Sequence, residues 1–253
     1  QALNKASIAK LIEPIGSGDD YSFIHQELVE SLKAIAEQDD LVDYHQAFIE
    51  LAKQSGNLQG HPPALMCAQH QVSLIRLGVI REDAIDDLLR AAKATFTDNS
   101  PERGIQFLET CLKLPGLQQR GDVHRMLGEM YLGLHRLSDS ETQFLAALQL
   151  IEEPMSKARI WSLMSQLAGS RYQTAYARQC LEKAYKELGV AAPTGDRKQI
   201  IGAAFRWLWL LATGSFWKER EAKGEERGRH RLLGELLERS TTLAYYQFDQ
   251  KIM

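Results

Sequence analysis

Apolar residues recur at three- and four-residue intervals along most of this chain, and almost no stretch alternates β-branched with polar residues. That period puts the apolar positions on one face of a helix rather than one face of a strand. Leu88, Ala91 and Ala92 form one such stripe, Gly104, Leu108 and Cys111 another, and Ala177, Leu181 and Ala184 a third. The pattern predicts helices over residues 3–12, 21–37, 40–54, 63–77, 81–96, 101–113, 121–134, 137–150, 157–169, 173–188, 197–212 and 226–250. The prolines at 14, 62, 63, 101, 115, 154 and 193 fall between these segments, where helices start or stop. Leu, Ala, Glu, Gln, Lys and Arg fill the segments, and all are strong helix formers. Helices of three to four turns joined by short loops predict antiparallel hairpins. A hairpin of this size cannot bury its apolar face alone, so the hairpins are expected to stack.

The hairpins repeat. In residues 121–154, Leu127-Gly128 is followed by Tyr131, Phe144, Ala147 and Pro154. Each has a packing role: Gly128 lets two helices approach, Tyr131 and Phe144 fill the space between them, and Ala147 leaves room for the next hairpin. Residues 158–193 follow with Trp161 at the large position of the first helix, Ala177, Leu181 and Ala184 on the second, and Pro193 closing; Ser165 and Ala168 stand in place of the Gly and Tyr. One repeat earlier come Leu88, Ala91 and Ala92, then Gly104, Leu108 and Cys111; earlier still come Ala68 and Val72, with Ile75 where an Ala is expected. The small second-helix residues therefore fall at 68, 104, 140 and 177, at intervals of 36, 36 and 37 residues. This pattern resembles the tetratricopeptide repeat, at slightly more than its usual period of about 34 residues. The resemblance implies an all-α fold, a right-handed α-solenoid of about six stacked antiparallel helix hairpins. Residues 1–38 would be an atypical N-terminal helix pair, 39–193 the repeats, and 194–253 a C-terminal pair continuing into a longer native chain.

A second resemblance covers the last third. Leu188-Gly189, Pro193, an apolar helix over 200–212, Arg227 to Arg231 and Tyr245-Tyr246 occur in an order similar to the tetratricopeptide-like arm of large bacterial regulators that carry an ATPase module. It implies a sensor or regulatory arm of a larger signalling or transcriptional regulator.

Composition narrows the function. The chain is 44% hydrophobic and 25% charged, enough for a continuous core, and its net charge of -3 argues against a general nucleic-acid binder. Three widely spaced cysteines, Cys67, Cys111 and Cys180, argue against a disulfide framework and for the cytoplasm. No HExxH, zinc-spaced Cys/His cluster or phosphate-binding GxxxxGK[ST] occurs, so no metal or cofactor is expected. The run Gly16-Ser17-Gly18-Asp19-Asp20 reads as a helix-linking turn, with Asp20 or Ser22 capping the next helix. His61 and His70 read as isolated. Paired acids at 39–40, 86–87 and 152–153 read as helix-end or solvated residues, not an acid–base pair. No catalytic residue emerges, and the chain is expected to be no enzyme.

Two surfaces remain. In a tetratricopeptide stack the first helix of each pair lines a concave groove. The resemblance and helical spacing place Asp86 and Lys93, then Asp122, Arg125 and Glu129, then Arg159, Ser162 and Gln166 on it. That face suits a protein or peptide ligand fixed by hydrogen bonds and ion pairs. The second surface is the aromatic run Phe205, Trp207, Trp209, Phe216 and Trp217. It reads as a core helix between repeats, or as a surface for self-association into a homo-oligomer. Arg206 in its middle argues against a membrane span, and a membrane partner is not expected. The free-standing alternative is an adaptor that self-associates or docks at a membrane through 200–217.

Overall fold

The computed structural model describes residues 12–14, 21–23, 38–54, 63–97, 100–193, 205 and 223–246. They form strands β1 (Ile12–Pro14) and β2 (Tyr21–Phe23) and helices α1 (Gln38–Gln54), α2 (Pro63–Arg76), α3 (Ala84–Thr97), α4 (Pro101–Lys113), α5 (Arg120–Gly133), α6 (Leu137–Leu150), α7 (Pro154–Ser170), α8 (Thr174–Glu187) and α9 (Gly224–Tyr246). The fold class is all-α, with neighbouring helices packed on one another. The chain divides into two compact units, Gln1–Ala94 and Thr95–Met253, and α3 runs across the division.

In the first unit, β1 and β2 pair antiparallel, with Ile12 opposite Phe23 and Pro14 opposite Tyr21. The expected helices over 3–12 and 21–37 do not extend to these residues. Ile12, Tyr21 and Phe23 favour a pleated surface, and the intervening run of Gly, Ser and Asp favours a turn over a helix. Ser22 pairs with Glu13 in the ladder.

Helices α1 and α2 pack through Ile49, Ala52, Cys67 and Leu74. A polar clamp ties the start of α3 to them. Buried Gln71 donates from Nε2 to Asp83 (3.0 Å) and Asp87 (2.9 Å). Lys53 on α1 ion-pairs with both carboxylates, Arg81 reaches Glu50 at 2.6 Å, and Arg90 reaches Asp87 at 2.6 Å. Asp87, read as a helix-end or solvated acid, stands in the first turn of α3 and is buried at 2% exposure. Each of its carboxylate oxygens has a partner, which is what makes that burial tolerable.

The second unit stacks hairpins. Three residues link α5 to α6 and three link α7 to α8, and each link is centred on a left-handed residue, His135 (φ 56) and Tyr172 (φ 58). The same cap closes both: Arg136 N donates to Tyr131 O and Gln173 N to Ala168 O, each at 2.9 Å. The repeat period is thus present in the backbone as well as the sequence.

The close approaches fall where the sequence places small residues. Ala68, Gly104, Ser140 and Ala177 are all buried. A Cβ on Gly128 would lie 2.5 Å from the ring of Phe144, which has no exposed surface. Phe144 and Ala147 of α6 join Ile160, Met164 and Leu167 of α7 in one core cluster. Trp161, at the large position of its first helix, is partly buried. It packs against that cluster and against a second one, with Lys183 over its ring at 4.2 Å.

Helix α9 packs on α7 and α8. Leu232 and Leu236 join Ala158, Leu181, Ala184 and Tyr185, and Arg229 donates to the Leu188 carbonyl at 2.9 Å. No helix among the described residues is long and apolar enough to cross a membrane.

Candidate binding groove

The start of α7 sets the phase of its polar face. Pro154 occupies the first turn, and the Glu153 side chain accepts from Met155 N (2.8 Å) and Ser156 N (2.6 Å). Burial works against its ionisation, but these bonds hold the Glu153 carboxyl below its usual range. From that start Ala158, Ile160, Met164 and Leu167 turn into the core, while Arg159 and Gln166 remain exposed.

Helices α5, α7 and α9 together line a cavity of about 120 Å³. Glu129 comes from α5, Arg159, Ser162 and Leu163 from α7, and Glu235 and Arg239 from α9. Arg125 donates to Glu129 at 2.5 Å and approaches Asp122 at 3.5 Å. Glu235 receives Arg231 at 3.4 Å. Arg239 donates to the amide oxygen of Gln166 at 2.9 Å. Burial lowers the Arg239 pKa, with Glu235 and Glu238 opposing; a guanidinium stays charged nonetheless.

Ser162 is buried, and its hydroxyl has no hydrogen-bond partner among the described residues. Serines inside helices usually bond back to a carbonyl one turn earlier, as Ser240 does to Leu236 at 2.8 Å. A buried hydroxyl without a partner is uncommon and calls for an explanation.

The structure therefore brings together Asp122, Arg125 and Glu129 along α5, and Glu129, Arg159 and Ser162 around one cavity, with Gln166 joined through Arg239. Asp86 and Lys93 lie exposed on α3, in the first unit. Phe205 is helical and 72% exposed, while Trp207, Trp209, Phe216 and Trp217 lie outside the described residues. Sequence reading missed Glu235 and Arg239, because 226–250 matches the repeat motif poorly. A signal was present: Arg239 lies 73 residues beyond Gln166, two repeat periods.

One other cluster was unforeseen. His70 is not isolated, since its Nδ1 lies 2.7 Å from Nδ1 of His45 and its ring stacks on Phe48 at 4.0 Å. Burial, with His45 adding, lowers its pKa to about 4. Cys67, Cys111 and Cys180 are free and buried, as small apolar residues are. Burial raises the Cys111 thiol to about 12 and the Cys180 thiol to about 11, far from a reactive thiolate. Among the described residues no group of three His, Cys, Asp or Glu could hold a metal ion.

No protein-family model matches the chain, and no curated protein is found similar to it. Two crystal structures of MamA are similar to it at a distance. One is 14% identical with a TM-score of 0.41, covering 73% of this chain and 92% of that one. The other is 13% identical with a TM-score of 0.42, covering 82% and 96%. Likeness at that level bears neither on the fold nor on the function, and the fold stands on the hairpins themselves.

Proposed function

We propose that this chain is a non-catalytic protein-interaction scaffold that holds a segment of another protein along the groove lined by α5, α7 and α9. The observation that carries the reading is convergence: charged and polar side chains from three helices meet at one cavity. A packed core has no need of such a gathering. A groove that orients a polypeptide by hydrogen bonds and ion pairs does.

Arg159 is the residue to change. Arg125 already pairs with Asp122 and Glu129, so replacing it alters α5 itself. Arg159 is exposed and makes no hydrogen bond or ion pair among the described residues. Affinity capture with the parent chain and with Arg159→Glu should recover a partner with the parent alone, at equal melting temperatures. Equal recovery by both would remove the groove from the function.

Within this reading the chain serves as the regulatory arm of a larger bacterial regulator, on the strength of the order of motifs from Leu188 to Tyr246. An immunoblot of the source cells should show a polypeptide well above 253 residues in length. A band at that length would instead favour a free-standing adaptor. The exposed Phe205 is the one described residue that supports self-association by such an adaptor.

A further inference from the structure

Four charged side chains line the α5–α7–α9 cavity, and they are not equally committed. Both carboxylates have cations: Glu129 holds Arg125 at 2.5 Å and Glu235 holds Arg231 at 3.4 Å. Neither guanidinium makes an ion pair among the described residues. Arg159 has no partner among the described residues, and Arg239 is hydrogen-bonded to the neutral amide of Gln166, with Glu235 and Glu238 acting on it through space rather than in an ion pair. Arg239 is half-buried and Arg159 exposed, so an anion entering the cavity would offset the desolvation of the first and give the second a charge-assisted partner. The Ser162 hydroxyl is buried in the same wall and lacks an acceptor. The unmet capacity is thus two guanidinium groups and one hydroxyl donor, all of which suit an oxyanion.

Size agrees. A cavity of about 120 Å³ far exceeds the ~10–15 Å³ that one ordered water needs, which leaves room for an acidic head group.

We propose that the cavity is the anchor pocket for an acidic side chain of the bound polypeptide, its oxyanion held between Arg159 and Arg239 with the Ser162 hydroxyl donating to it. This deepens the scaffold reading and rests on it.

The test uses the whole 253-residue chain as bait for a random dodecamer peptide library. Selected peptides should share one Asp or Glu. Changing it to the amide should weaken binding about tenfold or more, as should Arg159→Gln or Arg239→Gln, the scale of losing one charge-assisted hydrogen bond. Ser162→Ala separates a ligand role from a structural one: it should weaken binding while leaving the melting temperature unchanged or higher, because the lost hydroxyl has no partner in the free protein. Phosphoserine at the acidic position distinguishes the two sources of an oxyanion. Tighter binding then points to a phosphorylated partner, and weaker binding to a carboxylate. Peptides without a shared acid, or equally tight on Arg159→Gln and Arg239→Gln, would overturn the anchor while leaving the scaffold standing. Recovery of no peptide at all would overturn both.

Discussion

Gly128 shows what one residue decides in this stack. Its Cα faces the ring of Phe144, and a methyl group there would sit 2.5 Å from two ring carbons. Phe144 is fully buried and cannot turn aside. Gly128→Ala gains about 1 kcal/mol of helix propensity but incurs an overpacking cost of about 1–3 kcal/mol, so a net loss is expected. Gly234 in α9 has nothing within 4 Å of the same position. Gly234→Ala should therefore stabilise by up to about 1 kcal/mol. Thermal denaturation of the two variants checks both signs, and a stabilising Gly128→Ala would mean that α5 and α6 are less tightly apposed than described. These glycines look alike in the sequence as helical interruptions. Only the repeat frame set Gly128 apart, through its Tyr131 and Phe144 partners.

At the scale of elements, the first unit is held by polar groups as well as by apolar ones. Removing Asp87 leaves Gln71, Lys53 and Arg90 without their shared acceptor. Asp87→Ala should cost about 2–4 kcal/mol, whereas Asp86→Ala on the exposed side of α3 should change stability by about 0.5 kcal/mol or less, measured by urea denaturation. Sequence alone could not separate these neighbours, since adjacent acids in a first turn look equivalent. Burial is decided by α1 and α2, which supply Lys53 and Gln71 from 34 and 16 residues away. The paired histidines make a pH test of the same unit. The His70 pKa falls from its ordinary ~6.5 to about 4, so the folded state binds fewer protons than the unfolded chain between those values. The stability this contributes is complete above about pH 6.5 and is lost as pH falls towards 4. The melting temperature should decline over that window, and His70→Gln should flatten the decline. An unchanged slope in the variant would place the acid sensitivity elsewhere.

At the scale of the whole molecule, the hairpin series was legible and the site half so. Helical periodicity, prolines at the boundaries and the 36-residue spacing fixed eight helices, because stacking hairpins reuse the same local contacts. The strand pair at 12–14 and 21–23 was not legible, since two three-residue segments carry too little pattern to outweigh a helical reading of their surroundings. Of the cavity, Glu129, Arg159 and Ser162 could be found from the first-helix frame, while Glu235 and Arg239 could not be found from motif matching. They belong to a helix whose apolar residues no longer follow the repeat.

The central claim is that a partner lies in this groove, and site-specific photo-crosslinking in the source cells tests it most directly. A photoreactive residue at Gln166, on the groove, should yield a discrete adduct with another protein. The same residue at Tyr172, which is 91% exposed on the turn between α7 and α8, should not. Adducts at 172 with none at 166 would contradict the groove as the binding surface.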